Sequence, residues 1–136
     1  MIKKLIIRIS LLALIAVLLV SYPSFANNTK IAAEVTQVEE INSSGTEPFW
    51  NVRVNKSGIV YSSPSAKKQT FPYVTPLSAA GRTPDTVRVY HLRGGNHTLV
   101  IKKHNACSDG MSDKEYPYSA TFIMNNTVLD GCAESK

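Results

Sequence analysis

The chain predicts an all-β fold, a small antiparallel β-barrel (or sandwich) of about seven to eight strands carrying one disulfide. Three observations lead there. From Thr46 onward, short apolar runs alternate with polar residues at a period of two. Turn-forming clusters separate these runs roughly every eight to twelve residues. Two cysteines, Cys107 and Cys132, follow an export-type N-terminus, the setting in which a pair of thiols becomes a disulfide. No segment between 46 and 136 has helical periodicity, and there is no internal repeat.

Residues 1–26 read as a secretory signal peptide. Lys3, Lys4 and Arg8 form the positive region, Leu11 to Val20 the short apolar core, and Ser24-Phe25-Ala26 the cleavage site. Removal leaves about 110 of the 136 residues, one domain with a single modest core. It also changes the charge. The whole chain is +5, but three of its 15 Lys and Arg lie in the leader. The remaining excess is small and does not point to nucleic acid. The expected product is a periplasmic monomer with no permanent membrane span.

Residues 27–45 are expected to be an N-terminal arm. Ile31 to Ile41 has no clean period, and Asn42-Ser43-Ser44-Gly45 reads as a break. The β domain is then expected over 46–136. Trp50, Val52 and Val54 alternate with Asn51 and Arg53, so one face of that strand is buried. Asn55-Lys56-Ser57-Gly58 is a turn, and Ile59-Val60-Tyr61 returns as a hairpin partner. Lys67 to Val74 is a third candidate strand, ending at Pro72 and Pro76, and Leu77 to Pro84 reads as a surface loop. Thr86 to Leu92 is rich in β-branched and aromatic residues. Arg93-Gly94-Gly95-Asn96 is the next turn, and Thr98 to Lys102 the returning strand. Tyr118 to Met124, the tight turn at Asn125-Asn126, and Val128-Leu129 form a last hairpin that leads to Cys132. The 107–132 ring of about 26 residues corresponds to roughly 3.5 kcal/mol in the chain-entropy account of disulfides.

Catalytic signatures are lacking. Ser57, Ser63 and Ser108 have no nucleophile-elbow setting, and His91, His97 and His104 have no metal spacing. Zinc on both cysteines with His104 lacks the close-spaced cysteine pairs of structural sites. Asp109-Gly110-Met111-Ser112-Asp113 lacks the calcium-loop spacing. The reading therefore assigns no catalytic residue, metal or cofactor. It places candidate binding residues on the acidic loop (Ser108, Asp109, Met111, Ser112, Asp113 and Glu115) and at Phe49, which faces away from the core if Trp50 faces into it.

The stretches Gly45-Thr46-Glu47-Pro48-Phe49-Trp50, Cys107-Ser108-Asp109-Gly110-Met111-Ser112-Asp113, Tyr116-Pro117-Tyr118 and Leu129-Asp130-Gly131-Cys132-Ala133 resemble a family of small bacterial envelope proteins and lipoproteins without assigned activity. Its members occur near or fused to META-type domains and copper-stress lipoproteins. The resemblance covers about 46–133 and implies an envelope location; this chain lacks the lipid-attachment cysteine of the lipoprotein members. Ser57-Gly58-Ile59-Val60-Tyr61 is also similar to the Ser-Gly…Tyr loop of periplasmic inhibitors of c-type lysozyme, which adds Ser57 and Tyr61 to the candidates. The second, lysine-containing loop of those inhibitors has no counterpart here. The expected function is a non-enzymatic envelope binding module with an unidentified envelope component or protein as partner. A lysozyme inhibitor is the alternative, and a small periplasmic hydrolase the second alternative.

Overall fold

A computed structural model describes residues 38–136. The expected signal peptide and most of the expected N-terminal arm lie outside the described residues. The described chain is all-β: nine antiparallel strands in one sheet that curls into a half-barrel. In chain order they are β1 (Ile41–Thr46), β2 (Phe49–Asn55), β3 (Gly58–Ser63), β4 (Ala66–Phe71), β5 (Leu77–Ser78), β6 (Val87–Leu92), β7 (His97–Ser108), β8 (Glu115–Met124) and β9 (Thr127–Ser135). Their spatial order is β4-β3-β2-β1-β9-β8-β7-β6-β5. The first strand thus pairs with the last and joins two meanders. None of the described residues forms a helix long and apolar enough to cross a membrane.

Period-two alternation selects the buried face. Trp50, Val52 and Val54 of β2, Ile59 and Tyr61 of β3, Leu99 and Ile101 of β7, and Ala120 and Phe122 of β8 all enter one core. The curl brings distant strands together across it. The Phe71 ring on β4 meets His97 on β7 edge-on at 5.3 Å between centroids. Phe122 is fully buried and touches three rings, Tyr61 at 5.4 Å, Trp50 at 6.1 Å and His97 at 6.3 Å. Such aromatic contacts add to the area term of burial. The Asn125 turn forms as expected, with φ of 55°. Gly58 is needed at its turn: φ is 142°, and a Cβ there would stand 2.6 Å from the Phe71 carbonyl oxygen.

Several boundaries differ from expectation. The first strand of the sheet begins at Ile41, inside the segment read as arm. Asn42-Ser43-Ser44-Gly45, read as a break, is part of a central strand paired to both β2 and β9. Its small residues have a packing reason. Ile41, Ser43 and Gly45 face inward, and a Cβ on Gly45 would lie 2.1 Å from the Trp50 indole nitrogen. Strand β4 ends one residue before Pro72, because proline cannot continue a ladder. Leu77 and Ser78, expected in a loop, pair with Val89 and Arg88. Strand β7 runs through to Ser108, beyond the expected Lys102.

That extension shapes the disulfide. The β7–β8 register shifts between Lys103 and Cys107, opposite Pro117. Proline has no N–H for the ladder, and a bulge is where a strand accommodates it. The bridge joins Cys107 on β7 to Cys132 on β9, two strands that both pair with β8. In a flat sheet next-nearest strands would be roughly 9.5 Å apart. The two Cα atoms are 5.8 Å apart, so the sheet folds over at this end.

Candidate functional site

The four quoted stretches, drawn from three separate parts of the sequence, meet at the disulfide end of the sheet. Gly131 and Gly45 permit the contact. A Cβ on Gly131 would lie 2.1 Å from the Ser44 carbonyl oxygen, so β1 and β9 approach more closely than side chains allow. The Trp50 indole N–H donates to the Asp130 carbonyl at 3.1 Å, fixing the tryptophan within this junction. The β1–β2 turn holds Glu47 and Pro48, whose peptide bond is cis, and pairs Thr46 with Phe49. From that turn the Thr46 hydroxyl donates to the Asp109 carbonyl at 3.1 Å, tying the turn to the acidic loop.

Asp109 organises the loop. Its Oδ1 accepts the backbone N–H groups of Met111 at 2.9 Å and Ser112 at 3.0 Å. Its Oδ2 accepts the Tyr116 hydroxyl at 3.0 Å, and the Ser112 hydroxyl lies 3.2 Å from both oxygens. Ser108 Oγ accepts the Gly110 N–H at 3.2 Å. Gly110 has φ of 72°, the left-handed region that glycine enters at little steric cost. Lys114 closes the far side: its ammonium is 2.8 Å from a Glu134 carboxylate oxygen and 4.6 Å from the centre of the Tyr116 ring.

These bonds set the titration of the loop. The Met111 N–H, followed by those from Ser112 and the Tyr116 and Ser112 hydroxyls, holds the Asp109 carboxyl below its usual 3.8. Burial and the adjoining Asp109 carboxylate raise the Tyr116 hydroxyl above its usual value. The Glu134 carboxylate raises Lys114. A carboxylate with a depressed folded value contributes stability that is fully present above its unfolded pKa and lost as pH falls through the folded one. Asp109→Asn is therefore expected to flatten the acid limb of the stability profile below about pH 4, relative to wild type. Thermal melting as a function of pH checks this; an unchanged acid limb would contradict the scaffold role.

No family model, curated protein or solved structure matches the chain. The site therefore rests on its own geometry. The structure gathers Ser108, Asp109, Met111, Ser112, Asp113 and Glu115 in one loop beside the turn that carries Phe49. Their roles divide. Asp109, Ser108 and Ser112 spend their oxygens on the loop itself. Met111 is 67% exposed and Phe49 54% exposed, large apolar side chains held out to solvent. Asp113 and Glu115 are exposed as well, and neither forms an ion pair among the described residues.

Ser57 and Tyr61 are not part of this site. Ser57 lies at the exposed β2–β3 turn, with its N–H on Asn55 Oδ1 at 2.8 Å. Tyr61 is 4% exposed and packs against Phe122, so it is a core residue and offers no contact surface. Two features escaped the sequence reading. A shallow hollow of about 270 Å³ between Phe49, Asn51 and Ser62 adjoins the exposed phenylalanine. A second cleft, of about 380 Å³, contains the inward-facing Arg88.

Proposed function

We propose that the protein is a non-enzymatic binding module of the cell envelope that captures a protein partner through the 107–116 loop and Phe49. The observation that carries this is the division of labour within the loop. The acid that would serve chemistry, Asp109, has both oxygens engaged within the loop, Oδ1 by two backbone N–H groups and Oδ2 by the Tyr116 hydroxyl, while Phe49, Met111, Asp113 and Glu115 face solvent. The loop is cross-linked at Cys107 and tied at Thr46, so little freedom is left to lose on association. Exposed aromatic and methionine side chains are enriched at such contact centres. The disulfide supports an oxidising compartment, as the export signal implies.

Phe49→Ser with Met111→Ser is the test. Both side chains are exposed, so the double variant is expected to unfold within about 0.5 kcal/mol per site of wild type. It is expected to lose capture of the partner that immobilised wild-type protein retains from envelope extract. Stable capture by the double variant would overturn the proposal. Near-stoichiometric inhibition of c-type lysozyme that survives the same substitutions would move the function to another face.

A further inference from the structure

The second cleft is a different site from the loop. Strand β6 turns Arg88, Tyr90 and Leu92 to the interior and His91 to solvent. Arg88 is thus a cation on the concave face of the sheet, its side chain only 10% exposed. The cleft beside it is walled by Tyr73, Pro76, Pro84 and Tyr90, apolar surfaces for the most part. Burial raises the Tyr90 hydroxyl to about 12, as expected of a ring in an apolar wall. The guanidinium lies over the Tyr118 ring at 5.1 Å. Its Nη2 is 2.6 Å from Glu39 Oε2, and its Nη1 has no acceptor among the described residues.

A buried donor without an acceptor is costly, and its neighbour is only singly paired. The carboxylate that meets it belongs to Glu39, whose side chain is 38% exposed and which precedes β1 outside any strand. The other acid of the cleft, Asp85, is engaged at 2.8 Å by Lys103. A carboxylate can grip both terminal nitrogens of an arginine at once, fork to fork. Glu39 meets one of them.

We propose that this cleft binds a small amphiphilic carboxylate, its head on Arg88 and its apolar body against Tyr73, Tyr90 and the two prolines, with Glu39 as a built-in competitor for the guanidinium. Nη1 is closed off from solvent, so binding turns the Arg88 guanidinium toward the cleft, exchanges a one-point pair for a two-point pair and releases Glu39 to water. The volume falls within the range of small-molecule pockets, at the small end.

Calorimetric titration of the full chain with octanoate, and with 1-octanol as the uncharged control, tests this. Saturable binding of octanoate and none of octanol is expected. Substitution of the inward-facing Arg88 endangers the fold, so Glu39→Gln is the deciding variant. It removes the competing charge and leaves the arginine in place. The expected result is octanoate binding about two- to fivefold tighter than wild type, the size of a part-exposed ion pair. Arg88→Gln, if its melting curve matches wild type, is expected to bind no octanoate. Equal binding of octanoate and octanol, or octanoate binding by Glu39→Gln that is unchanged or weaker, would overturn the proposal.

Discussion

Phe122→Ala is expected to destabilise the domain by about 3–5 kcal/mol, the range for emptying a fully buried phenylalanine site. Its ring sits where the two meanders close on each other, against Trp50 and Tyr61 from one side and His97 from the other. The neighbours are anchored and collapse poorly into the space. Trp50 is held by its bond to the Asp130 carbonyl, and Tyr61 by the β2–β3 and β3–β4 ladders. For a domain of this size the change lowers the melting temperature by about 12 °C or more. Circular dichroism on heating would show it. A loss below about 5 °C would mean that the half-barrel does not close around Phe122.

Reduction of the Cys107–Cys132 bond is expected to remove roughly 3.5 kcal/mol, most of it by freeing the unfolded chain. Against a typical total of about 5–15 kcal/mol this is a large share. Urea unfolding of oxidised and reduced wild-type protein measures it without placing a new side chain at the buried Cys132. The bond also spans β8 from β7 to β9, so reduction is expected to release the bulged end of β7 and with it the base of the acidic loop. A difference under about 1 kcal/mol would indicate that the end of the sheet is held by its ladders alone.

Much of this architecture is legible in the chain because one face of each strand is apolar. Trp50-Asn51-Val52-Arg53-Val54 and Tyr118-Ser119-Ala120-Thr121-Phe122 show the alternation openly. Strand β1 does not. Its inward positions after Ile41 are Ser43 and Gly45, neither of them apolar in pattern, and at Gly45 the Trp50 indole occupies the space a side chain would take. Strand β6 is ambiguous for another reason: Val87 and Val89 are as apolar as the Tyr90 and Leu92 that face inward, so nothing local marks Arg88 as interior. The shape of the acidic loop could be anticipated from Asp109 and Gly110. Its tie to Thr46 spans 63 positions and has no local signature. Tyr61, a candidate by motif similarity, lies in the core, where strand parity with Ile59 puts it.

We propose that the scaffolded loop holds Met111, and the β1–β2 turn tied to it holds Phe49, out for a partner. Site-specific photo-crosslinking in intact cells tests it most directly, with a photoreactive residue at position 49 or 111 and, as the control, at Lys67 on the edge strand β4. The same discrete adduct is expected from positions 49 and 111 and none from 67. Adducts from 67 alone, or equal adducts from all three positions, would contradict it.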